Sequence, residues 1–79
     1  MDLRPMEEKI IKFIVNYYYN TSFYPCYEEI AGEMKCAKST VYEYMHGLEM
    51  NGLIIRKAKK TSQYRVDFKV FNNLRKGTY

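Results

Sequence analysis

The sequence predicts an α+β domain, three helices followed by a two-stranded antiparallel β-hairpin, and three stretches carry that expectation. Residues 6–19 place apolar side chains at helical spacing over a wide face. Residues 38–53 repeat the helical pattern as a narrow stripe and end on Asn51-Gly52. Residues 63–70 alternate polar and apolar side chains over eight positions, the period of a strand. At 79 residues the chain is read as one domain, too small for an enzyme's deep pocket.

The first helix opens favourably at Pro5, where a missing N–H costs nothing, and Glu7 and Glu8 set negative charge at the positive end of its dipole. Ile10, Ile11, Phe13, Ile14, Tyr17 and Tyr18 are its expected core face. The run Tyr17-Tyr18-Tyr19 is not a stacking platform, because consecutive helical residues point about 100° apart. Asn20-Thr21-Ser22 ends the helix, and Phe23-Tyr24-Pro25 is extended because proline disfavours a helical predecessor.

A short second helix is expected from Cys26 or Tyr27, with Cys26 as N-cap, Glu28 and Glu29 in the first turn and Ile30 with Met34 facing inward. Gly32 within it allows another helix to approach closely. Residues 35–38 are a short linker, so this helix and the next outline a helix-turn-helix. In the third helix Val41, Met45 and Leu48 recur at i, i+4 and i+7 and seat it on the core. Its free face presents Ser39, Thr40, Tyr42, Glu43 and His46, which suit hydrogen bonding and ring or methyl contact with a partner. Ser39 and Thr40 have a competing structural role as caps, Glu43 as a salt-bridge partner, and His46 as a solvated bystander.

Residues 53–57 form the first strand of the hairpin, residues 58–62 its polar tip and residues 63–70 its second strand. The second strand is longer than its partner, which leaves residues 68–70 unpaired or paired with a second subunit. Residues 71–79 read as a basic tail. The whole is a winged helix-turn-helix in which Arg56, Lys59 and Lys60 can straddle a phosphate backbone or enter a minor groove.

Charge agrees with that reading. The net charge is +4, yet residues 1–51 carry five Lys/Arg against eight acids and residues 52–79 carry eight against Asp67 alone. Such lopsided positive charge is the footprint of phosphate contact, although a solvated basic tail gives the same count. Cys26 and Cys36 with the single His46 do not make a four-ligand zinc set, so neither metal nor cofactor is expected, and the thiols are read as reduced and packed near the core. No stretch approaches a membrane span or a secretory leader, and a cytoplasmic location is expected.

The order helix, Tyr24-Pro25, Glu29-Ile30-Ala31, Ala37-Lys38-Ser39-Thr40-Val41, Leu48-Glu49-Met50-Asn51-Gly52-Leu53-Ile54-Ile55-Arg56 and a basic hairpin resembles the N-terminal winged helix-turn-helix domain of the SOS repressor LexA. The resemblance spans roughly residues 3–66. It implies base-reading positions at Ser39, Thr40, Tyr42 and Glu43. Phosphate contacts by the same resemblance fall near Tyr27, at Lys35 and Lys38, and on the wing. Tyr42 and Tyr44 stand where such domains usually carry small or polar residues, so no operator sequence transfers. The family's self-cleaving Ser/Lys protease and dimerisation module are not expected here, which leaves a stand-alone DNA-binding regulator, with a possible homodimer through the C-terminal strand or tail. The other reading is a winged-helix module that binds protein through its tyrosine-rich surface, as an antirepressor or assembly adaptor.

Overall fold

The computed structural model describes residues 3–56 and 63–77, with side chains described as far as Asn73. The chain runs α1 (Pro5–Thr21), α2 (Tyr27–Met34), α3 (Lys38–Met50), β1 (Ile54–Arg56), β2 (Tyr64–Val66) and α4 (Phe68–Gly77). The three helices and the antiparallel hairpin of a winged helix-turn-helix are all present. β1 and β2 pair Ile54 with Val66, Ile55 with Arg65 and Arg56 with Tyr64. The wing expected between them, with Lys59 and Lys60, lies outside the described residues.

α1 is the scaffold against which the other helices pack. Ile10, Ile11 and Ile14 are fully buried and Val15 nearly so. Phe13, Tyr17 and Tyr18 sit at the core's edge, because the buried face is centred closer to Val15 than the apolar count suggested. The helix stops at Ser22, whose left-handed backbone lets its N–H donate to Tyr18 O at 2.7 Å.

α2 begins as expected, with Cys26 extended at the N-cap and its N–H donating to Glu29 Oε1 at 3.2 Å. Ile30 is fully buried. Gly32, expected to admit a close helix, instead faces open space, with nothing within 4 Å of where a Cβ would stand. Its place on the outer side of a two-turn helix follows from the inward direction fixed by Tyr27, Ile30 and Ala31.

α3 ends through Gly52 at φ 79°, while Asn51 remains at φ −86° and caps by donating from Nδ2 to Gly47 O at 3.0 Å. The glycine alone supplies the left-handed turn into β1.

The expected eight-residue second strand is corrected by α4. Pairing ends at Val66, and residues 68–70 are helical, so a second subunit cannot pair with them as a strand. Asp67 is the cause. Its Oδ1 accepts from the N–H groups of Lys69 at 3.1 Å and Val70 at 3.2 Å, which is N-cap geometry, and Phe71 N–H closes the first turn on Asp67 O at 3.0 Å. Phe68 and Phe71 then share one helical face at i, i+3. Phe71 enters the core and Phe68 lies against Tyr18 and Tyr19 at 5.6 and 5.9 Å between ring centroids. The residues after Phe71, read as a tail, continue this helix to Gly77.

Two tyrosines fasten the hairpin to the helices. The Tyr64 hydroxyl, buried, donates to Pro25 O at 2.6 Å, and the Tyr24 hydroxyl accepts from Val66 N–H at 3.2 Å. Burial holds the Tyr64 phenol protonated by raising its pKa far above the ordinary value.

At the other end of α1, Glu7 is a carboxylate only 3% exposed. Arg4 satisfies it twice, from its backbone N–H to Oε1 and from Nη2 to Oε2, each at 2.9 Å. Burial works to raise the Glu7 pKa, but the two Arg4 hydrogen bonds and the guanidinium charge outweigh it and hold the carboxyl below the ordinary glutamate range. A carboxyl with a lowered folded pKa contributes stability above its unfolded pKa of about 4.3, and that contribution is lost as pH falls through the folded value. Urea midpoints are therefore expected to decline on acidification below that point, with a smaller decline in Glu7→Gln over the same window.

Candidate nucleic-acid interface

α3 owes its exposed face to what holds its other sides. Val41, Met45 and Leu48 are fully or almost fully buried. On the α1 side the Arg4 guanidinium lies 4.7 Å from the Tyr44 ring centroid, and Gly47 makes room for the Glu7 carboxylate. On the α2 side the Tyr42 ring meets Tyr27 edge to face at 4.9 Å. What remains is a stripe of Ser39, Glu43 and His46 at i, i+4 and i+7, all exposed, with Thr40 half-buried beside it. Tyr42 flanks the stripe at 39% exposure.

The stripe continues to Met50, which is 75% exposed. Sequence reasoning passed over Met50 because a methionine one residue before a helix stop reads as an ordinary apolar end. Its spacing of four from His46 was the available signal.

The N-terminus of α3 differs from those of α1 and α2. Glu7 and Glu29 each accept an N–H at the start of their own helix, and both helices carry acids in the first turn. α3 starts at Ala37 with no side-chain cap and no acid in its first turn. The capping role open to Ser39 and Thr40 is thus not taken. The N–H groups of Thr40 and Val41 reach Ala37 O at 3.0 and 3.2 Å, and the N–H groups before them have no helical carbonyl to meet. An uncapped helix start with free N–H groups and small hydroxyls attracts anions.

Two of the sequence-predicted cations, Lys35 and Lys38, stand at this start, and Arg56 stands at the other end of α3. Lys35 stands in the turn between α2 and α3 at φ 56°, a left-handed position that glycine adopts without strain, so a lysine is held there at some cost. Lys38 opens α3 and its Nζ lies 3.3 Å from Glu28 Oε1. Both partners are largely exposed, so the pair contributes little to stability and is readily exchanged for another anion. Arg56, at the end of β1, has Nη1 3.9 Å from Glu49 Oε1.

Tyr27 is the sequence-predicted residue that the fold withdraws from the surface. Its ring is 2% exposed, between Tyr42 and Tyr64, so near the start of α2 the outer surface offers backbone and not this ring. Its aromatic size decided the matter, since the inner face of so short a helix needs a large residue to reach the core. Cys26 and Cys36 are both free thiols, half-buried, at opposite ends of α2. No helix among the described residues is long and apolar enough to cross a membrane.

The structure therefore brings Lys35, Lys38, Ser39, Thr40, Tyr42, Glu43 and His46 onto one exposed helix and the turn before it, with Arg56 at that helix's C-terminal end beside Glu49. No curated protein matches the chain. A family model described as a helix-turn-helix domain matches residues 2–54, which takes in α1, α2, α3 and the start of β1. With α2, the Lys35–Ala37 turn and α3 arranged as they are, the chain belongs to that helix-turn-helix domain family.

Proposed function

We propose that the chain is a sequence-specific regulator of transcription that binds double-stranded DNA, with α3 in the major groove and the basic segment between β1 and β2 on the backbone or in the minor groove. The observation that carries this reading is the start of α3, free of acids and of a side-chain cap and with an exposed hydroxyl-bearing stripe, in a chain whose other two leading helices carry acids in the first turn and a glutamate bonded to the N-cap N–H. Ser39, Thr40, Tyr42 and Glu43 meet base edges in this arrangement, as the resemblance to the LexA repressor domain also implies. Lys35, Lys38, Arg56, Lys59 and Lys60 neutralise phosphates, and His46 lies within the same stripe for a base or a phosphate. Glu43 accepts from a cytosine amino group in the major groove.

One module of this size covers a single half-site, so tight specificity calls for two copies on sites about 10 base pairs apart or a multiple of that. Residues 68–70 are helical and do not offer a strand to a second copy.

Selection of bound duplexes from a random-sequence pool tests the reading. Enrichment of one motif, single or repeated, is the expected result. Recovery of the pool unchanged contradicts it.

A second reading has its own observation. Phe23 is 73% and Tyr19 66% exposed, and Tyr19 stacks on Phe68 at 5.9 Å, so an aromatic patch lies at the junction of α1 and α4. Such rings are typical of protein interfaces, and in this reading the domain is an adaptor that binds protein and not DNA. Phe23→Ser separates the two. It leaves duplex binding by a monomer intact under the first reading and abolishes partner capture under the second.

A further inference from the structure

α1 is seventeen residues long and α2 eight, about 25 and 12 Å, so α2 covers only part of the flank of α1 that it lies against. Between the two helices runs an open groove of about 450 Å³, lined by Met6, Lys9, Lys12, Phe13, Glu33 and Met34. On α1, Met6, Lys9 and Phe13 share one side at i, i+3 and i+7. Phe13 packs edge-on against Tyr17 at 5.9 Å, and the Tyr17 hydroxyl donates to Glu29 Oε2 at 2.6 Å. That bond ties the helices together one turn away from Phe13 on α1 and from Glu33 on α2.

The groove has an apolar floor and charged walls. Met6, Phe13 and Met34 are each half-buried against the core, so they keep apolar surface open to a partner, and methionine adapts to the shape of what it meets. Lys9 and Lys12 are the only lysines of α1, and both stand on its wall, with Glu33 on the wall of α2. Among the described residues no ion pair engages Lys9 or Glu33, and Lys12 holds only the exposed Glu8 at 3.0 Å, a contact readily exchanged. An open groove does not enclose a small molecule. It suits an amphipathic helix, whose apolar stripe lies on the floor while its other side stays in water. Opposite charges on the two walls then call for carboxylates on the edge of that helix facing α1 and a cation on the edge facing Glu33.

We infer that the groove between α1 and α2 docks an amphipathic helix of a partner protein: Met6, Phe13 and Met34 receive its apolar side chains, Lys9 and Lys12 pair with its carboxylates, and Glu33 pairs with a cation on its other edge. The inference does not depend on the DNA-binding reading, and none of these residues belongs to the aromatic patch of Tyr19, Phe23 and Phe68. α2 turns one flank to α3, where Glu28 meets Lys38, and another to α1, where Glu29 meets Tyr17. The groove lies on the second of these, so the stripe of Ser39, Glu43 and His46 stays free while the helix is held.

The methionine methyl groups report the test, because Met6 and Met34 line the groove, Met45 is in the core and Met50 lies on the exposed stripe of α3. The probe is a synthetic helical peptide with leucines at i, i+3, i+4 and i+7, glutamates along one edge of that stripe and lysines along the other, titrated into the full chain with isotope-labelled methionine methyls. The expected result is saturable shifts of the Met6 and Met34 signals with Met45 and Met50 unmoved, and half-saturation on the order of 100 µM for so small a contact. The same peptide with lysine in place of every glutamate is expected to bind the parent about tenfold more weakly and to regain affinity for the Lys9→Glu, Lys12→Glu double variant. The comparison of the two peptides on the parent stands even if the double variant does not fold. Absence of shifts up to millimolar peptide, shifts at Met50 in place of Met6 and Met34, or equal binding of the two peptides to the parent overturns the inference. Shifts of the Met6 and Met34 signals that follow protein concentration without peptide overturn it too, since they assign the groove to a second copy. Each of these outcomes leaves the DNA-binding reading standing.

Discussion

Replacing Lys59 and Lys60 together by alanine is expected to weaken duplex binding roughly 30-fold at about 0.15 M salt. That figure follows from a slope near −0.9 in log K per neutralised phosphate, taken for two contacts. The substitutions fall in the sequence between β1 and β2 and remove no apolar side chain, so the melting temperature is expected to hold. Competition with mixed-sequence duplex is expected to show the loss evenly across sequences, because phosphate contacts carry no base information. If the double variant binds as the parent does, the segment does not touch the backbone. Should it capture a protein partner normally while neither it nor the parent binds any duplex, the adaptor reading gains.

The second large effect concerns Gly47, in the middle of α3. Helix propensity alone says that alanine there stabilises by about 1 kcal/mol. The structure reverses the sign. A Cβ at position 47 would overlap Glu7 Oε2 and lie 3.1 Å from Arg4 Nη2. Oε2 is the end of a side chain, but the carboxylate is buried and each of its oxygens accepts one hydrogen bond from Arg4, so it cannot move aside without losing those bonds. Gly47→Ala is expected to destabilise by about 2 kcal/mol, within the usual range for overpacking. That is about a 30-fold shift in the folding equilibrium. In a Glu7→Ala background the overlap is gone, and the same substitution is expected to be neutral or mildly stabilising. Urea unfolding of the four proteins in that cycle checks the coupling, and additive effects would show that the carboxylate does not constrain position 47.

The same contact tells what the sequence could and could not disclose. Val41, Met45 and Leu48 announce the buried stripe of α3 by spacing alone, and Asn51-Gly52 announces its end. Helix boundaries at Pro5 and Cys26 were legible for the same reason, since they depend on neighbours in sequence. Gly47 was not legible, because the reason for it is a carboxylate forty residues earlier in the chain. Tyr27 and Tyr42 both looked like surface aromatics beside a binding face. Only packing shows one to be core and the other its cover.

The C-terminal strand failed on a local signal that was present. Tyr64, Val66, Phe68 and Val70 alternate as a strand does, but Asp67 stands one residue before Phe68 and Phe71 at helical spacing. Two capping hydrogen bonds and the burial of Phe71 outweigh the period-2 pattern once the partner strand has ended at Ile54. For the candidate interface, the residue types on α3 were readable. The open start of the helix was not, because it depends on Ser39 and Thr40 not being used as caps.

The measurement closest to the centre of this account is the affinity of the full chain for its selected duplex as a function of salt. Contact with about five phosphates gives a log K that falls against log salt with a slope near −4 to −5. A slope indistinguishable from zero, or no binding even at the lowest salt, would contradict it.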